Sequence, residues 1–367
     1  MKYSMYLDWY VHQPELRYDF RSSGIAHFKY DLMLGEVDLS VNYAYGNPAA
    51  SELLGRRYHV QPENVFISCE GTSGQNTRLI RRVAEVTKGK NEAIVEYPTY
   101  EPLLRKTQEH FPHVRRLERK EKEAYRLDVH ALSKKVTEKT ALVILTNPHA
   151  PSGAISSERE LEEIMTIASE YGFYVVCDEI YAEFDREAIP TIFSVNEDFG
   201  VVTTSFTKAY GLGGLKFGAT LAKKELVNGL YTDVLNTIGN SPNIVQLIAV
   251  ELLEKDREIL QKHKQEWVSL KETTEEWLKE KNLEYFPNKT GITYWIKLSI
   301  EDTYKWMNEH TIPNHSLAAV PGGFFLFKEG YRLPKSNKIR LGLGNITPTK
   351  SRLAEALEVL GLALETY

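Results

Sequence analysis

A lysine set among small residues is the part of this chain best suited to covalent chemistry. The run Ser205-Phe-Thr207-Lys208-Ala-Tyr-Gly211-Leu-Gly213-Gly214-Leu-Lys216-Phe-Gly218 follows an apolar-to-hydroxyl stretch, Val201-Val-Thr-Thr204, that reads as a short buried strand. A lysine that is desolvated and crowded by a second cation loses basicity. Its free amine can then form a Schiff base with an aldehyde. Gly-rich backbone and the hydroxyls of Ser205 and Thr207 can come close to a phosphate. The competing interpretation is a basic, Gly-rich surface turn.

Other residue types elsewhere suit complementary tasks. Gly71-Thr72-Ser73-Gly74 lies between a strand, 65–69, and a helix expected to begin near Gln75. Exposed amides at a helix N-terminus bind anions, although an ordinary strand-to-helix turn has the same pattern. Asp178 closes the apolar run Val175-Val-Cys177. A carboxylate there needs a cationic partner unless it merely caps a helix. Arg340 sits in the apolar pattern Ile339-Arg340-Leu-Gly-Leu-Gly344, where a planar guanidinium could grip a carboxylate through two parallel hydrogen bonds.

The elements that must position these residues alternate. Helical patterns at 49–58, 77–87, 130–136 and 157–171 interleave with apolar runs at 65–69, 92–96, 114–117, 141–145 and 173–177. Near-continuous apolar strands between helices predict a mostly parallel sheet covered on both faces. Ligands of such sheets bind beyond the carboxyl ends of the strands. The Gly-Thr-Ser turn, the Asn147-Pro148 turn, Asp178 and Lys208 all follow strands directly. Beyond Ser241-Pro242 a long helical pattern runs over 244–281, with Leu253, Leu260, Trp267 and Leu270 on one stripe. Strands at 294–298 and 338–342 and a helix at 352–363 follow, as in an α+β region. The expected division is an N-terminal arm with part of the small domain over 1–30, a large domain over 31–250, and a small domain over 251–367. The Tyr-rich first 25 residues read as an arm lying on another surface.

In order, these motifs resemble those of the class I/II aminotransferases, the fold type I enzymes that use pyridoxal 5′-phosphate and include aspartate aminotransferase-like members. The resemblance spans residues from about 20 to about 345. It implies an α/β fold with a mostly parallel seven-stranded sheet between helices and a smaller α+β domain. It implies that Lys208 holds the cofactor and serves as acid and base, that Ser205 and Lys216 bind its phosphate, and that Gly71, Thr72 and Ser73 form a first phosphate turn. Lys216 stands where the family usually has Arg, a point charge in place of a planar fork. Tyr100, in Glu96-Tyr-Pro98-Thr-Tyr100, would stack on the ring. In Asp178-Glu-Ile-Tyr181, Asp178 would bind the ring nitrogen and Tyr181 the phenolic oxygen, keeping the ring an electron acceptor. Arg340 would hold the substrate's α-carboxylate. Gly24, in Phe20-Arg21-Ser-Ser-Gly24-Ile25, belongs to a segment like the one that closes over substrate. Tyr45, in Tyr45-Gly-Asn-Pro48, resembles the tyrosine that reaches the partner subunit's phosphate, which implies a homodimer with shared active sites. Asn147-Pro-His149-Ala150-Pro-Ser-Gly153 departs from the family's Asn-Pro-x-Asn-Pro-Thr-Gly turn. Ala150 cannot donate a hydrogen bond to the phenolic oxygen, so His149 or another group must serve it, or one donor is missing.

The chain has 367 residues, 42% hydrophobic and 26% charged, with a net charge of −5. That length suits two domains, and that charge gives no reason to expect nucleic-acid or membrane binding. Cys69 and Cys177 both lie in apolar runs and suit a reducing compartment. No signal peptide, membrane span or metal cluster is expected, and the cytoplasm is the expected location. The expected activity is transfer of an α-amino group from an amino acid to a 2-oxo acid. Lyase or decarboxylase chemistry on the same scaffold is the alternative, and a regulatory ligand-binding module is the rival from another class. A dicarboxylic substrate would call for a second cation, for which Arg21 is the candidate; an aromatic one would suit the tyrosines.

Overall fold

The computed structural model describes residues 4–25, 29–286, 288–328, 330–346 and 350–367. Helix α1 (Met5–Val11) and strand β1 (Tyr18–Phe20) form the N-terminal arm. There follow α2 (Pro48–Tyr58), β2 (Val65–Ser68), α3 (Gly71–Val86), β3 (Glu92–Tyr97), α4 (Glu101–His110), β4 (His113–Glu118), α5 (Val129–Ser133), β5 (Thr140–Thr146), α6 (Glu158–Tyr171), β6 (Tyr174–Asp178), α7 (Ile192–Val195), β7 (Gly200–Ser205) and β8 (Gly218–Leu221). The chain continues with α8 (Lys224–Ile238), α9 (Asn243–Glu254), α10 (Asp256–Glu280), β9 (Glu284–Phe286), β10 (Thr293–Lys297), α11 (Thr303–Trp306), α12 (Ile312–His315), β11 (Leu317–Pro321), β12 (Lys338–Gly342) and α13 (Lys350–Glu365).

Seven strands form one sheet in the order β2-β8-β7-β6-β5-β3-β4. All its pairs are parallel except the two made by β8. Strands β5, β6 and β7 are buried throughout, which is why they read as continuous apolar runs without alternation. Their register sets the chemistry: Thr146 lies opposite Asp178, and Asp178 opposite Thr203, all at the carboxyl edge. A second sheet, β1-β11-β12-β10-β9, places Arg340 of β12 opposite Trp295 and Val320. The expected α/β architecture is therefore the observed one. Among the described residues no helix is long and apolar enough to cross a membrane.

Two local expectations differ from the structure. Helix α3 begins at Gly71, not near Gln75, because the Gly71 N–H donates to Lys216 O at 2.6 Å and Gly71 takes φ 62°, turning the chain straight from the strand end into the helix. The long pattern over 244–281 is two helices that part at Lys255. Asp256, the first residue of α10, pairs there with Arg57, which also holds Glu183 at 2.7 Å and the Tyr210 hydroxyl at 2.7 Å. Amphipathic periodicity carries no record of such a contact. The arm lies on its own chain. Strand β1 pairs in parallel with β11, while the Ser4 hydroxyl and Tyr6 N–H donate to Glu101 Oε2 at 2.8 and 2.7 Å.

Candidate active site

The carboxyl ends of the parallel strands, the start of α3, helix α1 and strand β12 enclose one cavity of about 360 Å³. Lys208, Asp178, Tyr181, Tyr100, Gly71, Thr72, Ser73, Lys216 and Arg340 all line it. Gly71, Asp178 and Lys208 converge because β6, β7 and α3 end or begin at the same sheet edge, and β12 of the second sheet brings Arg340, 269 positions from Gly71, to face them.

Burial governs the electrostatics. Desolvation, helped by Arg340 and Lys216, pulls the Lys208 amine down to about 8, against a weaker opposing pull from Asp178. Desolvation pushes the Asp178 carboxyl up to about 6. Asn76, which donates to Oδ2 at 2.8 Å, and the Ile180 N–H, which donates to Oδ1 at 3.2 Å, limit that rise. The site therefore holds an amine poised near its nucleophilic form and a carboxylate in need of a cationic partner.

At the phosphate end, the 16-residue helix α3 directs its N-terminal amides towards the cavity, with Lys216 alongside; a Cβ on Gly71 would lie 3.7 Å from Lys216 Cδ. Thr207 also lines the cavity. Ser205 does not. It is buried beneath the loop, where its hydroxyl donates to Phe217 O at 2.8 Å and accepts from the Thr207 N–H at 3.2 Å.

At the opposite end Arg340 is 4% exposed, and its Nε has no hydrogen-bond partner. One Nη donates to Arg21 O, and the Tyr6 hydroxyl is a second contact. No carboxylate among the described residues pairs with Arg340, Lys208 or Lys216, so the cavity carries surplus positive charge suited to an anionic ligand. Tyr100 and Tyr181 have raised pKa values, chiefly through desolvation, and stay protonated donors at neutral pH. Gly24 lies behind the lysine: a Cβ there would sit 2.6 Å from Lys208 Cδ, and the Ile25 N–H donates to Lys208 O at 2.9 Å. Tyr45 lies outside the cavity, 60% exposed, with its ring edge-to-face with Tyr231.

The Ala150 turn resolves one alternative. His149 Nε2 faces Pro98 O at 3.0 Å, which can only accept, so Nε2 carries the proton. Nδ1 lies 2.7 Å from Ser152 Oγ and accepts from it, since burial holds the ring's pKa well below its usual value and keeps it neutral. His149 thus has no N–H left to give to the cavity.

The sequence reading missed several residues at or behind the cavity wall. Asn76 sits with Leu79, Ile80 and Val83 on the buried face of α3, and a polar residue on that stripe was the available signal. Tyr6 and Tyr10 share a face of α1, and both line the cavity with Leu7, Leu103 and Phe325. For Phe325 no local pattern pointed to the site.

A parallel sheet with a buried lysine and aspartate at its carboxyl edge and a helix N-terminus beside them defines the fold type I transferases. Solved structures agree on the fold. An aspartate aminotransferase double mutant from Thermus thermophilus superposes with a TM-score of 0.83 at 19% identity, over 99% of this chain and 97% of that one. A PLP-dependent aminotransferase from Streptococcus suis gives 0.85 at 22% identity, over 100% and 99%. The chain belongs to the family aminotransferase class I and II, whose profile matches residues 42–360. Among curated relatives, a histidinol-phosphate aminotransferase of Methanococcus aeolicus is 23% identical over 67% of this chain and 64% of its own length. An aromatic amino acid aminotransferase of Thermobifida fusca is 29% identical over 59% and 60%. The chain thus matches less than two thirds of the length of either relative.

The family's cofactor is pyridoxal 5′-phosphate, and the residues fit it. Its phosphate matches the α3 amides with Lys216, its aldehyde matches Lys208, its protonated ring nitrogen matches the buried carboxylate of Asp178, and the orphaned Nε of Arg340 is left for a substrate carboxylate.

Proposed function

We propose that this chain is a pyridoxal-phosphate-dependent aminotransferase that moves an α-amino group from an amino acid to a 2-oxo acid. The observation that carries this reading is the convergence of a buried low-pKa lysine, a buried carboxylate and an unpaired buried arginine in one cavity. When bound, the cofactor supplies an electron-withdrawing ring that takes up the electron pair left at the substrate α-carbon.

This chain's residues do the rest. Thr72 and Ser73 amides, Lys216 and the Thr207 hydroxyl hold the phosphate, and Ser205 buttresses that loop from below. Lys208 anchors the cofactor. Its Nζ would take the proton from the substrate α-carbon and carry it as acid and base. Asp178 would keep the ring nitrogen protonated, Tyr100 would cover the ring, and the Tyr181 hydroxyl would serve the phenolic oxygen. Arg340 grips the α-carboxylate, and Gly24 leaves room for the lysine chain.

The same reading makes the working unit a cytoplasmic homodimer to which each subunit brings Tyr45. Leu32, Met33, Leu39 and Tyr45 are exposed, as are Leu235, Ile238 and Ile244. Two contacts join these segments: the Met33 N–H donates to Glu251, and Tyr45 meets Tyr231. An apolar surface of that kind supports burial by a second copy.

A single-turnover assay tests the function. Holoenzyme mixed with an amino donor should lose its aldehyde-form absorbance, gain that of the amine form, and recover on adding a 2-oxo acid. Release of ammonia or carbon dioxide without recovery by the oxo acid would refute transamination.

A further inference from the structure

Resting on the aminotransferase reading, we propose that the amino donor carries a large, uncharged aromatic side chain, and that dicarboxylic and phosphate-bearing donors are poor substrates. Four cations of the described residues line the cavity: Arg21, Lys208, Lys216 and Arg340. Lys208 is the nucleophile, Lys216 lies at the phosphate end, and Arg340 faces the α-carboxylate. Only Arg21 remains to meet a second anionic group.

Arg21 is already closed. Its Nε donates to Asp19 Oδ1 at 2.9 Å and its Nη2 to Asp19 Oδ2 at 2.9 Å, a bidentate pair. Its Nη1 donates to Tyr10 O at 2.7 Å, and its guanidinium lies 4.8 Å from the centre of the Tyr10 ring. Asp19 is held in turn by the Arg21 N–H at 2.9 Å and by Asn345 Nδ2 at 2.7 Å. The pair is neutral and mostly buried, with side-chain exposures of 11% and 17%. A distal carboxylate or phosphate entering here would be desolvated and would have to compete with Asp19 for the Arg21 guanidinium. That competition selects against a second anion.

Five Tyr and Phe rings, Tyr6, Tyr10, Tyr100, Tyr181 and Phe325, line the cavity beside the polar Asn288 and Thr293, and neighbours behind the wall hold them in place. Tyr6 packs edge-to-face on Tyr100 at 5.4 Å and 80°, and on Phe324 at 5.8 Å and 75°. Trp295 packs edge-to-face on Phe325 at 5.5 Å and 74°. Tyr10 stays neutral, its pKa raised first by burial. Rings fixed in this way present flat faces and edges to an incoming ring without losing side-chain freedom on binding.

The test has two arms on the holoenzyme. The first compares kcat/KM for phenylalanine, tyrosine and tryptophan with that for aspartate, glutamate and histidinol phosphate. The aromatic donors should lead by at least about tenfold. Equal or better use of a dicarboxylic or phosphorylated donor, as when a partner subunit supplies the missing cation, overturns the inference and leaves transamination standing. The second arm titrates two unreactive ligands, 3-phenylpropionate and maleate, following cofactor absorbance. Tighter binding of 3-phenylpropionate is expected; tighter binding of maleate, or no binding by either, overturns the inference. If no donor turns over while 3-phenylpropionate binds more tightly, the aminotransferase reading fails and the pocket assignment survives. Asp19→Asn frees Arg21 and should narrow the aromatic-to-dicarboxylic ratio about tenfold. An unchanged ratio in a folded variant removes the Arg21–Asp19 pair as its cause.

Discussion

Asn76 donates its side-chain N–H to Asp178 Oδ2 at 2.8 Å, while its own Oδ1 accepts from the Thr203 hydroxyl at 2.8 Å. The chain from β7 through α3 to β6 fixes the orientation of Asn76, so that its N–H and not its oxygen faces the carboxylate. This hydrogen bond favours the ionised form of Asp178 and opposes the rise caused by burial. Asn76→Ala should therefore move the acid limb of the pH–rate profile to higher pH. It should also lower kcat by about ten- to a hundredfold, the range usual for loss of an outer partner. A lower kcat with an unmoved acid limb would assign Asn76 a packing role only.

Asp178 destabilises the cofactor-free protein. Burial pushes its folded-state pKa up to about 6, above the ordinary aspartate range. The penalty is thus absent below the unfolded pKa and grows as pH rises through about 6, reaching about 3 kcal/mol at neutral pH. Asp178→Asn should raise the melting temperature of the apoprotein at pH 7.5, with the gain vanishing near pH 4. The same variant should hold the cofactor less tightly than wild type. Apoproteins of equal stability at pH 7.5 would show that the carboxylate is not strained.

Lys208 should be the residue that carries the pyridoxyl group after borohydride reduction and peptide mapping. With its pKa near 8, about a tenth of the amine is free at pH 7. The rate of cofactor incorporation into apoprotein should therefore rise with pH to a midpoint near 8. Label on another lysine, or a midpoint above 10, would contradict the assignment.

Glu101 is a positioning residue for helix α1. Its buried carboxylate accepts from Ser4 and the Tyr6 N–H through Oε2 and pairs with Arg105 through Oε1 at 2.8 Å. Arg105 in turn lies between the Phe327 and Tyr331 rings, 4.5 and 4.1 Å from their centres. Glu101→Gln weakens a charge-assisted contact worth about 1.5–3 kcal/mol. It should raise KM for the amino donor about tenfold or more, while cofactor absorbance and retention stay as in wild type. An unchanged KM would show that α1 is held without Glu101.

On the proposed function, Ala150 offers the cofactor's phenolic oxygen no donor, and His149 has no N–H to replace it. An N–H at that oxygen stabilises its negative charge, so the conjugated lysine–cofactor link loses its proton at lower pH. Ala150→Asn should accordingly shift the visible absorbance titration of the holoenzyme to lower pH. An unchanged or raised midpoint would mean that another group already serves the oxygen.

By itself the sequence determined the parts whose physics is local. Buried parallel strands must be apolar along their whole length, so β5 and β6 announced themselves, and a carboxylate or lysine ending such a run, as Asp178 and Lys208 do, stood out against its surroundings. Helix α6 was legible from its amphipathic pattern, and the structure adds a capping box that Ser157 and Glu160 close within one turn. Tertiary structure alone decided what depends on residues distant in the chain. The break at Lys255 lies where Asp256 meets Arg57, and α3 starts at Gly71, whose N–H is bound to Lys216 O. Whether Ser205 or Thr207 faces the cavity turned on Phe217 O, and the neutrality of Arg21 on Asp19 and Asn345. Periodicity and motif record which side chains are buried or small. The partner that satisfies each buried polar group is chosen only when the strands and helices are brought together, because hydrogen bonds and ion pairs are short-ranged and directional.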